Sequence, residues 1–378
     1  MVSKYLPDKD PRVVNYPLED LLDKMLFANV RHFVEKDGGV KFAPSEYLTD
    51  YLARQTAKAI HTNKDRPFFV YTAFNAPHTP LQALRSDYDQ LAHIPDELTR
   101  VYGAMIMALD RGVGTILQAL KEAGVDDNTI VIFTNDNGAP NWVKRHGANA
   151  PFRGWKGTLF EGGLRVPMFM QWPAAIKAGT VLGDMVGHVD ILPTILTAAT
   201  GGRVGGWGEG EREDVGDEEM APCLEGPVGI CLKKKDGVNL LPFLTPLGEE
   251  DNEGDVMGNG VSKKGHVVDG FEGYPHRRLF WRSGHYKALR YGYWKLQVAE
   301  RPPVRWMYDL KQDPYEKTNI AKAPEYSDVM KMMMGELQWV DAKQSTPLWE
   351  SITETAVMID KFYEHDEKED DEYVYWPN

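Results

Sequence analysis

The sequence predicts an α/β protein with a largely parallel central sheet, followed by a small C-terminal antiparallel subdomain that carries a helix. Three observations predict it. Short apolar runs at Pro67–Phe74, Ile130–Thr134 and Val166–Trp172 read as buried strands. Residues 97–123, between the first two runs, have the spacing of a long amphipathic helix, and a strand–helix–strand order needs the crossover that makes strands parallel. Past residue 278 the pattern changes to short strand-like pieces separated by turn-length gaps, which suits antiparallel pairing.

In chain order, residues 18–34 (Leu21, Leu22, Met25, Leu26) and 45–61 (Leu48, Leu52, Ile60) carry apolar residues at helical spacing, with Ser45 placed as the second helix's N-cap. Pro67–Phe74 is continuous and aromatic-rich, as a strand buried on both faces would be. The 97–123 helix lines up Tyr102, Met105, Ile106, Leu109, Val113, Ile116, Leu117 and Leu120 on one face, and Gly124 is its natural stop. A helix over Asp190–Ala199 ends at Gly201-Gly202. Residues 201–236 are Gly-rich and acidic, and 248–265 are polar and Gly-rich, so both read as surface insertions. Strands follow at Leu279–Arg282, Tyr286–Arg290, Trp294–Val298 and Trp306–Leu310, with a Met-rich helix at 325–341 to pack on them. Glu364–Glu372 is a like-charge block expected in solvent. The expected organisation is an α/β domain over 1–247, a polar loop over 248–270, an α+β subdomain over 271–345 and an acidic tail over 346–378.

With 378 residues and 42% apolar content, the chain can bury a sizeable core. A formal charge of −13 disfavours a nucleic-acid partner, which demands a basic surface. No apolar run is long enough to span a bilayer, and the first residues have no apolar core of a signal peptide. Cys223 and Cys231 cannot make a disulfide framework, and no Cys/His cluster supports zinc.

Three loops could carry chemistry. Asn135-Asp136-Asn137-Gly138 directly follows a buried strand, where α/β sheets bind ligands, and the Asp136 and Asn137 oxygens are hard donors suited to calcium or magnesium. The same four residues also make an ordinary turn. His78, held between Pro77 and Pro80, could donate to an anionic oxygen or act as a general acid, or simply be a hydrogen-bonded loop histidine. Residues 144–165 gather Lys144, Arg145, Arg153, Lys156 and Arg165 against Glu161 among glycines, which fits an anion site or a solvated basic loop. Together the three describe a metal-assisted, anion-binding hydrolytic site.

The segments PFFVYTAFNAPHTPLQ, TIVIFTNDNG, APFRGWKGTLFEGGLRVPMFMQWP and HVDILPTILTAATG resemble, in order and spacing, the type I sulfatases of the arylsulfatase group. LFWR, KALRYGYWKL and MYDLKQDPYEKTNIA are similar to that family's C-terminal subdomain, so the resemblance covers roughly residues 15–340 apart from the two insertions. It implies an alkaline-phosphatase-like α/β sandwich, one bound calcium and sulfate-ester hydrolysis. Asp136 and Asn137 match the calcium-ligating Asp-Asn pair, His78 the substrate-contacting histidine and Lys156 the sulfate-contacting lysine, while Asn135 replaces the usual serine. The family's early Asp-Asp pair, its C-x-P-x-R motif whose cysteine becomes the formylglycine nucleophile, and its G-K-W-H-type segment do not occur. Cys223 precedes Leu224-Glu225-Gly226-Pro227 and Cys231 precedes Leu232-Lys233-Lys234, so neither fits that motif, and Thr158 and Ser45 show no sign of activation.

The expectation is therefore a sulfatase that lacks its N-terminal strands and nucleophile segment. Residues 1–378 would be inactive alone, whereas the complete protein would cleave aryl or carbohydrate sulfates. The alternatives are a phosphate or phosphonate monoesterase of the same superfamily, and a non-catalytic module binding sulfated glycans through residues 144–165. Members of the family are usually secreted, lysosomal or periplasmic.

Overall fold

The computed structural model describes residues 6, 9–16, 34–141, 148–201, 237–244, 256–257, 261–262, 267–268, 271–272, 275–346, 354–361, 368–369 and 371–377. The helix expected at 18–34, Lys144, Arg145, Cys223, Cys231 and nearly all of the two polar stretches lie outside these. The chain divides into two compact units, Met1–Val131 with Asn141–Ala148 and Phe362–Glu364, and Ile132–Pro140 with Asn149–Lys361 and His365–Asn378.

The first unit contains β1 (Val13–Tyr16), α1 (Leu48–Asn63), β2 (Leu81–Leu84), α2 (Arg85–Gln90) and α3 (Glu97–Ala123). The boundaries of α3 are those the sequence predicts, because both ends are set locally. Asp96 caps the start by accepting from the Thr99 N–H at 2.8 Å, and Gly124 closes it at φ 67°. Its buried stripe includes Met105 and Leu120 of the expected face but otherwise runs through Leu98, Val101, Ala104, Ala108, Gly112 and Ala119, while Ile106 is 44% exposed. Small residues let neighbours approach closely: a Cβ on Gly112 would stand 3.4 Å from the Ala53 Cβ of α1 and from the Phe74 ring. The start of α1 is Leu48 with Tyr47 at the cap position, so Ser45 is not its N-cap.

Residues 67–74, expected as a buried strand, are extended but have no ladder partner among the described residues. One face rests on the helices. Phe68 packs with Ile60 and Leu120, Thr72 bonds Thr56 Oγ1 at 2.9 Å, and Phe74 meets Gly112. The other face is open, with Phe69 72% and Tyr71 83% exposed. The strand pairing that does occur in this unit is β1 with β2, antiparallel, from Val13↔Leu84 to Tyr16↔Leu81.

The second unit begins with β3 (Val131–Thr134), α4 (Glu161–Leu164) and β4 (Met168–Gln171), β3 and β4 forming a two-stranded sheet. A single 3₁₀ turn at His188–Asp190 leads into α5 (Ile191–Thr200), which stops at Gly201 with φ 61°. After α6 (Leu241–Leu244) come two-residue pairs, β5 (Val256–Met257) with β6 (Val261–Ser262) and β7 (Val267–Val268) with β8 (Phe271–Glu272).

The four expected C-terminal strands form an antiparallel meander: β9 (Arg278–Ser283), β10 (Tyr286–Tyr291), β11 (Trp294–Glu300) and β12 (Pro303–Asp309). Period-two alternation assigns the faces. Leu289, Leu296 and Met307 face Met333, Leu337 and Val340 of α7 (Ser327–Ala342). Their neighbours Trp306 and Tyr308 face the opposite way, into a core shared with Tyr286, Phe160, Val357 and Val374. Val357 and Val374 come from a hairpin, β13 (Glu354–Met358) and β14 (Tyr373–Pro377), inside the stretch expected as a solvated tail. Glu372 of the acidic block expected in solvent is exposed, and it also accepts from Trp306 Nε1 at 3.0 Å and pairs with Arg153. Among the described residues no helix is long and apolar enough to cross a membrane.

Candidate active site

The loop after β3 places Asp136 at the surface, where its Oδ1 accepts from the Asn137 N–H at 2.9 Å. Asn137 is half-buried, and its Nδ2 donates to the Gly138 carbonyl at 2.8 Å. His188, from the turn before α5, fixes the loop from behind through its Nε2, 2.8 Å from the Asn135 carbonyl.

Glycines lock this loop to the lysine loop. Gly138 N–H donates to the Gly163 carbonyl at 3.1 Å, Gly162 N–H to the Arg153 carbonyl at 2.7 Å, and Lys156 N–H to the Ala139 carbonyl at 3.1 Å. Asn149, which no sequence pattern singles out, bridges them by accepting from Ala139 N–H at 2.8 Å and donating to the carbonyls of Ala139 and Gly154 at 2.9 and 3.2 Å. The backbones are too close for side chains: a Cβ on Gly162 would sit 2.3 Å from the Gly154 carbonyl oxygen, and one on Gly163 would sit 2.2 Å from that of Thr158. The metal pair and Lys156, predicted separately, thus belong to one interlocked cluster. Lys156 itself is half-buried.

Thr158 is buried, and its hydroxyl is used within this turn, accepting from Trp155 N–H at 3.1 Å and donating to the Trp155 carbonyl at 2.9 Å. Both bonds tie the hydroxyl into the turn. Of the basic stretch, Arg153 is committed internally. It donates to the Tyr308 hydroxyl at 2.9 Å and to Asp360 at 2.8 Å and pairs with Glu372, while lying over the Phe160 ring. Arg165 lies 3.9 Å from Glu161 and over the Phe152 ring. Within residues 144–165, Arg153 is therefore engaged by the exposed acids Asp360 and Glu372 and Arg165 stands near the buried Glu161, so neither is an unpaired surface cation.

Glu161 marks a network that the sequence did not reveal. It is 4% exposed, and its carboxylate meets Lys295 Nζ at 2.8 Å, which also meets Glu316 at 2.9 Å. Lys295 and Glu316 are fully buried. Glu316 accepts from the Glu161 N–H at 2.5 Å and from Gln297 Nε2 at 3.2 Å, and Gln297 in turn accepts from the Tyr286 hydroxyl, which itself accepts from Leu159 N–H at 3.0 Å. Burial alone would raise the Glu161 carboxyl, but the Lys295 ammonium outweighs it and holds Glu161 below the ordinary carboxylate range. For Glu316, burial wins and its pKa rises. The signature loop is thereby bolted to the C-terminal sheet.

His78 lies in the first unit, exposed, directly before β2. Its backbone N–H donates to the Asn75 carbonyl at 2.9 Å, and its Nδ1 stands 2.9 Å from the Thr79 carbonyl. Among the described residues no group of three or more His, Cys, Asp or Glu is arranged to hold a metal. Asp136 and Asn137 therefore suit a hard cation in ligand type but supply only part of a coordination shell.

The Sulfatase family profile matches residues 8–202. The chain is 34% identical over 181 residues to steryl-sulfatase of Mus musculus, covering 44% of this chain and 27% of that protein. It is 36% identical over 156 residues to N-acetylgalactosamine-6-sulfatase of Rattus norvegicus, covering 40% of this chain and 29% of that protein. The crystal structure of Ps i-CgsB superposes with a TM-score of 0.61 at 26% identity, over 82% of this chain and 58% of that one, and Ps i-CgsB is also known in complex with k-i-k-neocarrahexaose. The chain thus spans under a third of the length of these curated relatives. On the profile match and the shared alkaline-phosphatase-like fold, the chain belongs to the sulfatase family, as a type I sulfatase.

Proposed function

We propose that this chain supplies the metal loop and the sulfate-contacting lysine of a sulfate-ester hydrolase. The observation that carries the reading is the interlock of Asp136-Asn137-Gly138 with Lys156, which holds hard oxygen donors and a cation in one rigid cluster. A sulfate ester presents spread negative charge that grows on the leaving oxygen as the S–O bond breaks. Lys156 stabilises that charge, and on the family reading His78 assists the leaving group. A hard divalent cation held by Asp136 and Asn137, calcium on the family reading, supplies further neutralisation of the sulfate oxygens. The attacking oxygen does not come from Thr158, whose hydroxyl is internally bonded. The names of the two mammalian relatives, a steryl-sulfatase and an N-acetylgalactosamine-6-sulfatase, and the carbohydrate bound to Ps i-CgsB support sulfate esters as substrate, with a carbohydrate sulfate the better supported class.

The test is release from an activated aryl sulfate in the presence of calcium, for residues 1–378 and for the longest product of the gene. Residues 1–378 should show no turnover. In an active product, Lys156→Ala should lower kcat by about 10²–10³-fold, the cost of removing one charge-stabilising donor. Unchanged kcat in that variant, or faster cleavage of the matching aryl phosphate, would overturn the reading.

Metal binding is a separate expectation. Asp136 and Asn137 offer two side chains where calcium takes about 6–8 oxygens, so residues 1–378 should bind calcium weakly or not at all. Tight stoichiometric binding in a calorimetric titration would show that another carboxylate completes the shell.

A further inference from the structure

A cleft of about 530 Å³ lies between α2 and α3, within the first unit. Asp87 and Gln90 line it from α2, and Ile106, Met107, Asp110 and Arg111 line it from α3. Its one cation is already matched. Arg111 donates through Nη1 to Asp87 Oδ1 at 2.7 Å, and through Nε and Nη2 to the two carboxylate oxygens of Asp50 at 3.0 and 3.2 Å. Counting Asp110, three acids stand against a single guanidinium.

Two of these acids keep unused acceptors. Asp87 is 2% exposed, and its Oδ2 is buried without a hydrogen-bond partner among the described residues. The Asp110 carboxylate is exposed and likewise has no partner among them. Fold stability does not account for the first of these, because a buried carboxylate oxygen left unpaired loses its hydration and gains nothing. Beside it Ile106 stays 44% exposed, so the cleft joins spare anionic acceptors to apolar surface. Among the described residues no three acids or histidines are arranged to hold a metal ion. What fits is a cation rich in N–H donors that carries a hydrocarbon stem.

We propose that this cleft binds an alkylammonium ion. Its three N–H donors serve Asp110, Asp87 and the amide oxygen of Gln90, whose amide nitrogen is already given to the Ser86 carbonyl at 2.9 Å. Asp87 is held through one oxygen only, so rotation about the soft terminal torsion of its side chain offers Oδ2 to the ligand. The hydrocarbon stem lies along Ile106 and Met107, as the stem of a lysine lies along an apolar surface. An anion is excluded here, since the donors of Arg111 are taken by Asp50 and Asp87. The site does not depend on the sulfate-ester reading.

The experiment titrates residues 1–378 calorimetrically with pentan-1-amine and with pentan-1-ol, which has the same stem and no charge, in a buffer free of primary amines. The amine should bind saturably and the alcohol should not. Asp110→Asn should weaken the amine by about two- to fivefold, as for an exposed ion pair. Asp87→Asn should weaken it by about tenfold, because a hydrogen bond to a buried charge is lost. Asp127→Asn, on the exposed loop after α3, should bind as the parent does. Urea midpoints check that the variants fold; if Asp87→Asn does not, Asp110→Asn and the alcohol decide the matter. Nα-acetyl-lysine amide presents the same ammonium on a peptide, and whichever amine binds more tightly identifies the source, a protein side chain or a free amine. No saturable binding of either amine, equal binding of the alcohol, or an affinity unchanged in Asp110→Asn would each overturn the proposal.

Discussion

Replacing Lys295 by methionine is expected to cost about 3–5 kcal/mol in the stability of the second unit, the range for removing one partner of a buried ion group. The substitution keeps much of the side chain's volume and deletes the one cation between Glu161 and Glu316, leaving two buried carboxylates against each other. The pH response follows from the same groups. In the parent protein Glu161 is held below its ordinary value, a contribution present at neutral pH and lost on acidification, while Glu316 is raised, which contributes at low pH and is lost as pH rises. In Lys295→Met the closest cation is gone and Glu161 keeps only Arg165 and Arg290, each at 3.9 Å, so both folded-state values rise and protonation relieves the repulsion. The deficit should therefore be largest near pH 7 and shrink toward pH 5. Urea midpoints of parent and variant across that interval read it directly. A deficit that is constant, or grows on acidification, would show that the triad is not what the variant breaks.

Gly138→Ala should be comparably damaging, by a different route. The added Cβ would stand 1.8 Å from the Gly162 carbonyl oxygen and 2.9 Å from its carbon, so the clash is between two backbones and no side-chain rotation relieves it. Overpacking of this kind costs about 1–3 kcal/mol and at times more, and here the upper end is expected. The movement would also part the Asp136–Asn137 loop from Lys156, so an active product should lose kcat as well as stability. Gly114→Ala and Gly335→Ala are the matched controls. Both lie inside helices with nothing within 4 Å of the new Cβ, so alanine there should stabilise by up to about 1 kcal/mol. If Gly138→Ala unfolds in urea at the same midpoint as Gly335→Ala, the interlock is not a structural requirement.

What the sequence revealed, and what it hid, follows from how local each cause is. Asp96, Gly124 and Gly201 act within a few residues, so α3 was legible to the residue and the end of α5 to within one. The C-terminal meander was legible because strand and turn signals alternate at short range. Residues 67–74 misled, because a continuous apolar run predicts two covered faces, whereas Phe69 and Tyr71 have none of the described chain over them. The pairing of β1 with β2 joins two four-residue segments far apart in sequence, with no turn to announce it. The site residues were legible as short motifs, but the fate of their charges was not. Arg153 and Glu161 looked like members of one surface loop, yet the partners that decide their roles lie 207 and 134 residues further along the chain.

That separation has a consequence for how the protein is made. Arg153 emerges from the ribosome long before Glu372, which follows it by 219 residues. At about 5–20 residues per second, translation leaves the signature loop without that partner for roughly 10–40 s. During the first part of this interval Phe160 also lacks the Trp306 and Tyr308 side chains that cover it, and Glu161 lacks Lys295. Truncations that remove the β13–β14 hairpin should leave Arg153 without Asp360 and Glu372, and Phe160 without Val357 and Val374, while Trp306, Tyr308 and Lys295 stay in place.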